Sequence, residues 1–434
     1  MRFLLSFLDL KQCNFLRSRK IFFKARLLTA WYLLASACLL TGCRGNASSS
    51  TPGVTPNTIR LGSVLVLQGQ DEALGNGMRL GLESALVGEK VQGRSLEITF
   101  KNDYYEPASA RKATEELLEA QDIFIALGNV GTPTAQVTLP ILAQQNIPAV
   151  GFFTGAKLLR EDARGPIVNY RAGYGQEIAA VVEMAIAAGV TPAEICAYVQ
   201  NDGYGLDALE NLKQILTKLG ASQDIIKRYE KILSSNGDRN NLGPVGVYTR
   251  NTPYSRPGYD SLKKWESEGG VDCKLVITAA TYRNLSYFVG MARSEGENWL
   301  ISALSFTGAD ELRWDLEEYN LLDGVILTQV VPLLSANLPI VEEAKTALKE
   351  EFGVISLEGY VLGKMLLKIM RNVPGEITRE NFLAEVSQSK FDLGGITIDF
   401  TDGDNQGSDL VIVCKLTSEG FSAMSLADFT SILQ

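Results

Sequence analysis

The chain has 434 residues, no histidine, and 41 Lys+Arg against 50 Asp+Glu, a net charge of −9. Without histidine, imidazole acid–base chemistry, Ser-His-Asp and Cys-His nucleophile systems and every zinc site built on imidazole are excluded. The acidic balance repels phosphate backbones, so nucleic acid is not an expected partner.

In chain order, a basic cluster (Arg17, Arg19, Lys20, Lys24, Arg26) precedes an apolar stretch from Leu27 to Leu40, broken only by Thr29 and Ser36. That stretch is shorter than the roughly 20 residues a bilayer-spanning helix needs, and its flanks are those of a secretory signal. Its end, Leu40-Thr41-Gly42-Cys43, resembles the lipobox of bacterial lipoproteins. The resemblance implies cleavage before Cys43, a diacylglycerol on the Cys43 sulfur and acylation of its new amino group. Residues 1–42 are then a signal peptide, and 43–57, rich in Ser, Thr, Gly and Pro, read as a flexible tether. Residues 43–434, 392 in all, carry 34 basic and 49 acidic side chains, a charge of −15, and are enough for two lobes.

From Thr58 the pattern alternates strand, loop and helix. TIRLGSVLVL reads as a strand, ALGNGMRLGLESAL as a helix, RSLEITFKND as a strand, and EPASARKATEELLEAQ as a helix with an early proline. DIFIALG follows as a buried strand, TPTAQVTLPILAQQ as a helix and IPAVGFF as a strand. A second series starts near Gly173: helix GQEIAAVVEMAIAAG, strand EICAYVQ, helix GLDALENLKQILTKLG and strand QDIIKRYEKI. The polar stretch 234–261 shows no readable element. Helix SLKKWESEG, strand KLVITAA and helix NLSYFVGMARSEG come next, and GGITIDFTDGDNQGSDLVIVCKL reads as a β-hairpin. Apolar strands separated by helices predict an α/β fold of two doubly wound parallel-sheet lobes. Cys196, Cys273 and Cys414 each lie in or beside an apolar β-type run and read as small core residues, with one bridge possible.

Three strings imitate chemical motifs. Gly75, Gly77 and Gly81 have the wrong spacing for a dinucleotide fingerprint and serve a helix start. GYVLGK (359–364) is one residue short of a P-loop, with Met365 in place of the Ser/Thr, and reads as a helix. Asp402, Asp404 and Gly407 begin like a calcium loop, but Val413 stands where the bidentate acid belongs, so a turn is expected. What remains is a set of loops at strand C-terminal ends, where open parallel sheets bind ligands. In GNVGTP (128–133), Gly-Thr followed by proline at a helix start exposes N–H groups and a hydroxyl, a natural anion seat. Tyr204 and Tyr282 could close on a ligand from the opposite lobe.

The strings ALGNVGTPTAQVTLPILAQQNIPAV, VQNDGYG, DGVILTQVVP, SLEGYVLGKMLL, TRENFLAEV and FDLGGITIDFTDGDNQGSD occur in that order. Through them the chain, from about Ile59 to Phe421, resembles the leucine/isoleucine/valine-binding branch of periplasmic solute-binding proteins. The resemblance implies the type I periplasmic binding fold: lobe 1 from 58–172 with 332–388, and lobe 2 from 173–331 with 389–434. A three-segment hinge would lie near Tyr170–Gly175, Thr328–Val331 and Ser387–Leu393. It implies a monomeric receptor, not an enzyme and without a cofactor, that closes on a small polar solute of amino-acid, amide or carboxylate type. An ABC permease with its ATPase would read the closed form outside the cytoplasm, with the receptor held to a bacterial membrane by its lipid anchor. The alternative is a ligand-sensing receptor module that regulates a partner protein. Carried onto this chain, the resemblance puts Thr132 on the ligand carboxylate with Thr154 and the Gly155 N–H, and makes Tyr204 the ligand-facing tyrosine. Gln70, Asn129, Tyr282 and Ser305 complete the candidate ligand set. Where relatives place an acid for the ligand ammonium, this chain reads Ser305-Phe306, with Asp310 and Glu311 a turn later. A solute without a free α-amino group is therefore expected.

Overall fold

The computed structural model describes residues 51–161, 165–235 and 241–433. The lipidation expectation at Cys43 lies outside them. Residues 51–57, expected as the end of the flexible tether, are instead held to the first lobe. The Arg60 N–H donates to the Gly53 carbonyl at 2.8 Å, and a Cβ on Gly53 would collide with the Phe124 backbone.

The first sheet joins β1 (Thr58–Leu65), β2 (Lys90–Val91), β3 (Arg94–Asn102), β4 (Ile125–Leu127), β5 (Ala149–Val150) and β6 (Ile167–Val168). Their order is β2-β3-β1-β4-β5-β6, parallel apart from β2–β3. Helices α1 (Glu72–Leu86), α2 (Pro107–Ala120) and α3 (Thr132–Gln144) connect the strands. The second lobe carries helices α4 (Tyr174–Ala187), α5 (Gly203–Lys218), α6 (Gln223–Leu233), α7 (Arg256–Gly269), α8 (Tyr282–Ser294) and α9 (Ala309–Glu318). Its strands are β7 (Ile195–Gln200), β8 (Val245–Tyr248), β9 (Leu275–Ala279), β10 (Leu300–Ala303) and β11 (Val325–Gln329). The chain then returns through α10 (Pro339–Leu348), α11 (Val354–Asn372) and α12 (Arg379–Val386) to the first lobe. There α11 lies directly on α1, because Gly81 and Gly359 face each other: a Cβ on Gly81 would come within 2.2 Å of the Ser356 carbonyl. The last elements are a small hairpin, β12 (Lys390–Asp392) with β13 (Thr397–Asp399), then β14 (Ile412–Thr417), β15 (Gly420–Ala423) and α13 (Leu426–Leu433). The second sheet runs β15-β14-β11-β10-β9-β7-β8, parallel from β11 to β8.

Four expectations are corrected. QDIIKRYEKI is helix α6: Ile225, Ile226, Tyr229 and Ile232 share one buried face, and Ser222 caps the N-terminus. A helical period outweighs the short apolar pairs that suggest a strand. The stretch 234–261 holds β8, a four-residue buried run too short to stand out, and the start of α7 at Arg256. The expected tail hairpin does not form as one unit. Asp392 accepts from the N–H groups of Gly394 and Gly395 and closes a tight local turn between β12 and β13, while β14 pairs with β11 and β15. The third passage between sheets, expected at Ser387–Leu393, lies instead at 405–409, beside 169–171. Asn169 donates its N–H to the Asn405 carbonyl at 2.7 Å and accepts from the Gly407 N–H at 2.9 Å. The β12–β13 hairpin stays with the first lobe, where Lys368 on α11 donates to the Asp392 carbonyl.

Cys196 and Cys273 form a disulfide across neighbouring β7 and the residues just before β9. Cys414 is free and buried, its thiol pushed up to about 12 by burial.

Candidate ligand-binding cleft

The site begins where β4 runs into α3. Gly131 takes φ +100°, and the Tyr105 ring occupies the space a Cβ would need, so only glycine fits this turn. Thr132 then opens the helix with Pro133 in its first turn. The Thr132 hydroxyl stands 2.7 Å from that of Thr154, which also lies 3.1 Å from the Tyr174 hydroxyl and accepts the Ala156 N–H at 3.3 Å. Gly155 is packed against the Tyr174 ring, and its carbonyl accepts the Tyr174 N–H. Thr132, Thr154, Gly155 and Tyr174 thus form one polar surface at the positive end of a helix.

Tyr204 comes to this surface from the other lobe. It is fully buried, its ring 5.3 Å from that of Tyr174, and its hydroxyl has no hydrogen-bond partner. Burial pushes its pKa well above the ordinary tyrosine value, so it is a neutral donor. Phe306 crosses the cleft from the second lobe, with ring centroids 4.8 Å from Tyr204, 5.4 Å from Phe153 and 6.0 Å from Tyr105.

Two expected ligand residues are engaged elsewhere. The Asn129 side-chain oxygen accepts the Val64 N–H at 3.1 Å, tying its loop to β1. Ser305 donates its N–H and hydroxyl to Glu177 of α4, at 2.8 and 3.0 Å. Glu177 also accepts from Thr328 and lies 3.8 Å from the Arg171 guanidinium. A carboxylate thus reaches the Ser305 loop from α4, with its oxygens already engaged by Ser305, Thr328 and Arg171. Asp310 accepts the Val354 N–H at the start of α11, and so ties the two lobes together instead of facing the solute seat.

Arg171, on the first hinge segment, is 1 % exposed. It lies 3.8 Å from Glu177, 3.5 Å from Glu358 of α11 and 4.8 Å above the Phe153 ring, and it bonds the Ser305 hydroxyl. Its Nε and Nη1 make no hydrogen bond. Burial alone would lower its pKa, but Glu358 and Glu177 hold it above the ordinary value. Glu358 is pushed up to about 7 by burial, against the pull of Arg171.

Gln70 and Tyr282 meet away from this group: the Tyr282 hydroxyl donates to the Gln70 carbonyl at 2.8 Å. Beside them Asp71, 1 % exposed, has both carboxylate oxygens without a hydrogen bond. Near the rim, Arg250 of the second lobe pairs with Asp202 at 2.5 Å and with Glu106 of the first lobe at 2.9 Å, and Asn251 donates to Glu106 at 2.6 Å.

Sequence reasoning missed Arg171, Glu177, Glu358, Asp71 and Arg250. One signal was available: Glu358 is a lone acid between Val354 and Gly363, in a helix apolar on nearly all sides.

The family model described as periplasmic binding protein matches residues 58–231. A possible leucine/isoleucine/valine-binding protein from Rhodopirellula baltica SH 1 is 30% identical, with a TM-score of 0.77, over 86% of this chain and 99% of its own. A branched-chain amino acid ABC transporter structure from Thermus thermophilus with bound valine is 14% identical, with a TM-score of 0.69, over 85% of this chain and 96% of its own. A solute binding protein of an ABC transporter from R. palustris in complex with 4-hydroxybenzoate is 16% identical, with a TM-score of 0.66, over 85% and 96%. No curated protein matches the chain significantly. The chain belongs to the periplasmic binding protein family and has its type I fold. It is a binding protein, not an enzyme.

Proposed function

We propose that this protein captures a small carboxylate-bearing solute outside the cytoplasm and delivers it to an ABC importer, anchored to the membrane through Cys43. One observation carries the solute class. The hydroxyls of Thr132, Thr154 and Tyr174 form a contiguous set at the N-terminus of α3, and the buried Arg171 nearby keeps two N–H groups unbonded. Oriented donors at a helix N-terminus favour an anion, and the rings of Phe153, Tyr204 and Phe306 suit an apolar or aromatic body. Among the described residues, the carboxylate nearest the expected ammonium position is Glu177, which Ser305, Thr328 and Arg171 already surround. An α-ammonium would be left without its own partner, at a cost of several kcal/mol.

The importer role is supported by the family and by relatives described as ABC transporter components. The disulfide suits an oxidising compartment. The test is a thermal-shift screen of the full chain against carboxylates, amides and amino acids. A bound carboxylate at 100 times its Kd should stabilise the fold by about 2.7 kcal/mol. If leucine, isoleucine or valine gives the largest shift, the solute class is wrong.

A further inference from the structure

We propose that Asp71 receives a hydrogen-bond donor carried by the solute at the end remote from its carboxylate. The proposal rests on the carboxylate reading above and adds the second end of the solute. Asp71 follows β1, at a strand end that opens on the cleft, and is 1 % exposed with neither oxygen hydrogen-bonded. Buried polar atoms without partners are rare in folded proteins, and a carboxylate is among the costliest to leave so. Thr281, Arg283 and Arg250 of the second lobe face it: burial raises its pKa to about 6, and the Thr281 side chain, then the two arginines, pull it back towards the charged form. The neighbouring Gln70 side-chain amide nitrogen is also buried and unbonded, while the Gln70 backbone carbonyl is held by Tyr282. Two adjacent side chains therefore keep unused hydrogen-bonding atoms in one closed place.

Its position relative to Arg171 sets the shape of the solute. Phe153 lies against Arg171, and Phe306 and Tyr105 follow in series. The Tyr105 hydroxyl meets Gln200, Gln200 meets Tyr248, and the Tyr248 hydroxyl accepts the Thr281 N–H, next to Asp71. A row of aromatic and amide groups thus separates the buried cation from the unbonded acid. An α-ammonium, attached to the carbon beside its own carboxylate, stays at the Arg171 end. A hydroxyl, amide or ammonium on the far end of the molecule reaches Asp71.

The experiment titrates the full chain calorimetrically with two matched pairs, benzoate with 4-hydroxybenzoate and pentanoate with 5-aminopentanoate. In at least one pair the donor-bearing acid should bind about tenfold tighter than its partner. Asp71→Leu should bring that ratio close to one and leave the affinity for the plain acid in place. Asp71→Asn, which keeps shape and one acceptor but loses the charge and the second acceptor, should weaken 5-aminopentanoate, with its charged three-donor ammonium, more than 4-hydroxybenzoate, whose hydroxyl donates once. Equal binding within both pairs by the wild type, or an unchanged ratio in Asp71→Leu, overturns the role of Asp71 alone. If none of the four acids binds the wild type, the carboxylate seat falls and this proposal falls with it.

Discussion

The hydroxyls of Thr132 and Thr154 stand 2.7 Å apart although they leave the first sheet from different strands. Each strand-end loop delivers one hydroxyl, and the helix that begins at Thr132 aims its N–H groups at the same place. Thr132→Ala should weaken carboxylate binding roughly tenfold, the usual weight of one hydrogen bond to a charged group. Thr132→Ser should restore most of it. Calorimetric titration with benzoate checks both, and unaltered affinity in the alanine variant would remove Thr132 from the seat.

Arg250 links Glu106 of the first lobe to Asp202 of the second near the rim of the cleft. In Arg250→Gln the closed form loses this clasp, so solute should leave about two- to fivefold faster, with less dependence on salt. Stopped-flow release measures the rate. Solution scattering should show wild type becoming more compact at saturating solute, and no compaction would argue against lobe closure.

The disulfide spans 77 residues of sequence. Cross-linking a loop of that length restricts the unfolded chain by about 4 kcal/mol in the chain-entropy account. For a protein of this size, reduction should lower Tm by about 5 °C. Scanning calorimetry with and without a reductant tests this, and Cys414→Ala serves as a control because that thiol is free.

Burial holds Asp71 at about 6, and Asp103, Glu311 and Glu358 at about 7, each above its ordinary value. The folded protein therefore keeps protons that the unfolded chain has already released. For groups shifted upward, stability is greatest below the unfolded values near 4 and declines as pH rises through 6 to 7. Tm should increase when the pH is lowered from 8 to 5.5, and Glu358→Gln should flatten the slope. A Tm that falls over that interval would mean that these acids are ionised and paired instead.

The lipid anchor proposed above predicts a mass increment on Cys43 matching a diacylglyceryl group and an acyl chain. Cys43→Ser should abolish acyl labelling and release the protein from membranes. Wild-type protein without that modification would refute the anchor.

By itself the sequence determined the architecture, because strand and helix periods are local. The apolar runs of β1, β4, β7 and β9, the proline-led helices α2 and α3, and the turn at Gly131–Thr132 all depend on neighbours within a few residues. The ordered strings then pointed to two lobes and placed Thr132, Thr154 and Tyr204 at their meeting. The same locality explains the errors: QDIIKRYEKI offers apolar pairs that either period accommodates, and the tail offers Asp392 a nearer turn than the one expected. Only the tertiary structure decided which polar groups are free. Asn129 has the residue type and place of a ligand contact, yet its oxygen is taken by the Val64 N–H, 65 residues away in sequence. Ser305 is taken by Glu177, 128 residues away. Arg171 and Asp71 look like surface charges in the chain and are buried, incompletely bonded groups in the fold. Whether a polar atom is available to a solute depends on the partners that folding brings within about 3 Å of it, and those come from distant parts of the chain.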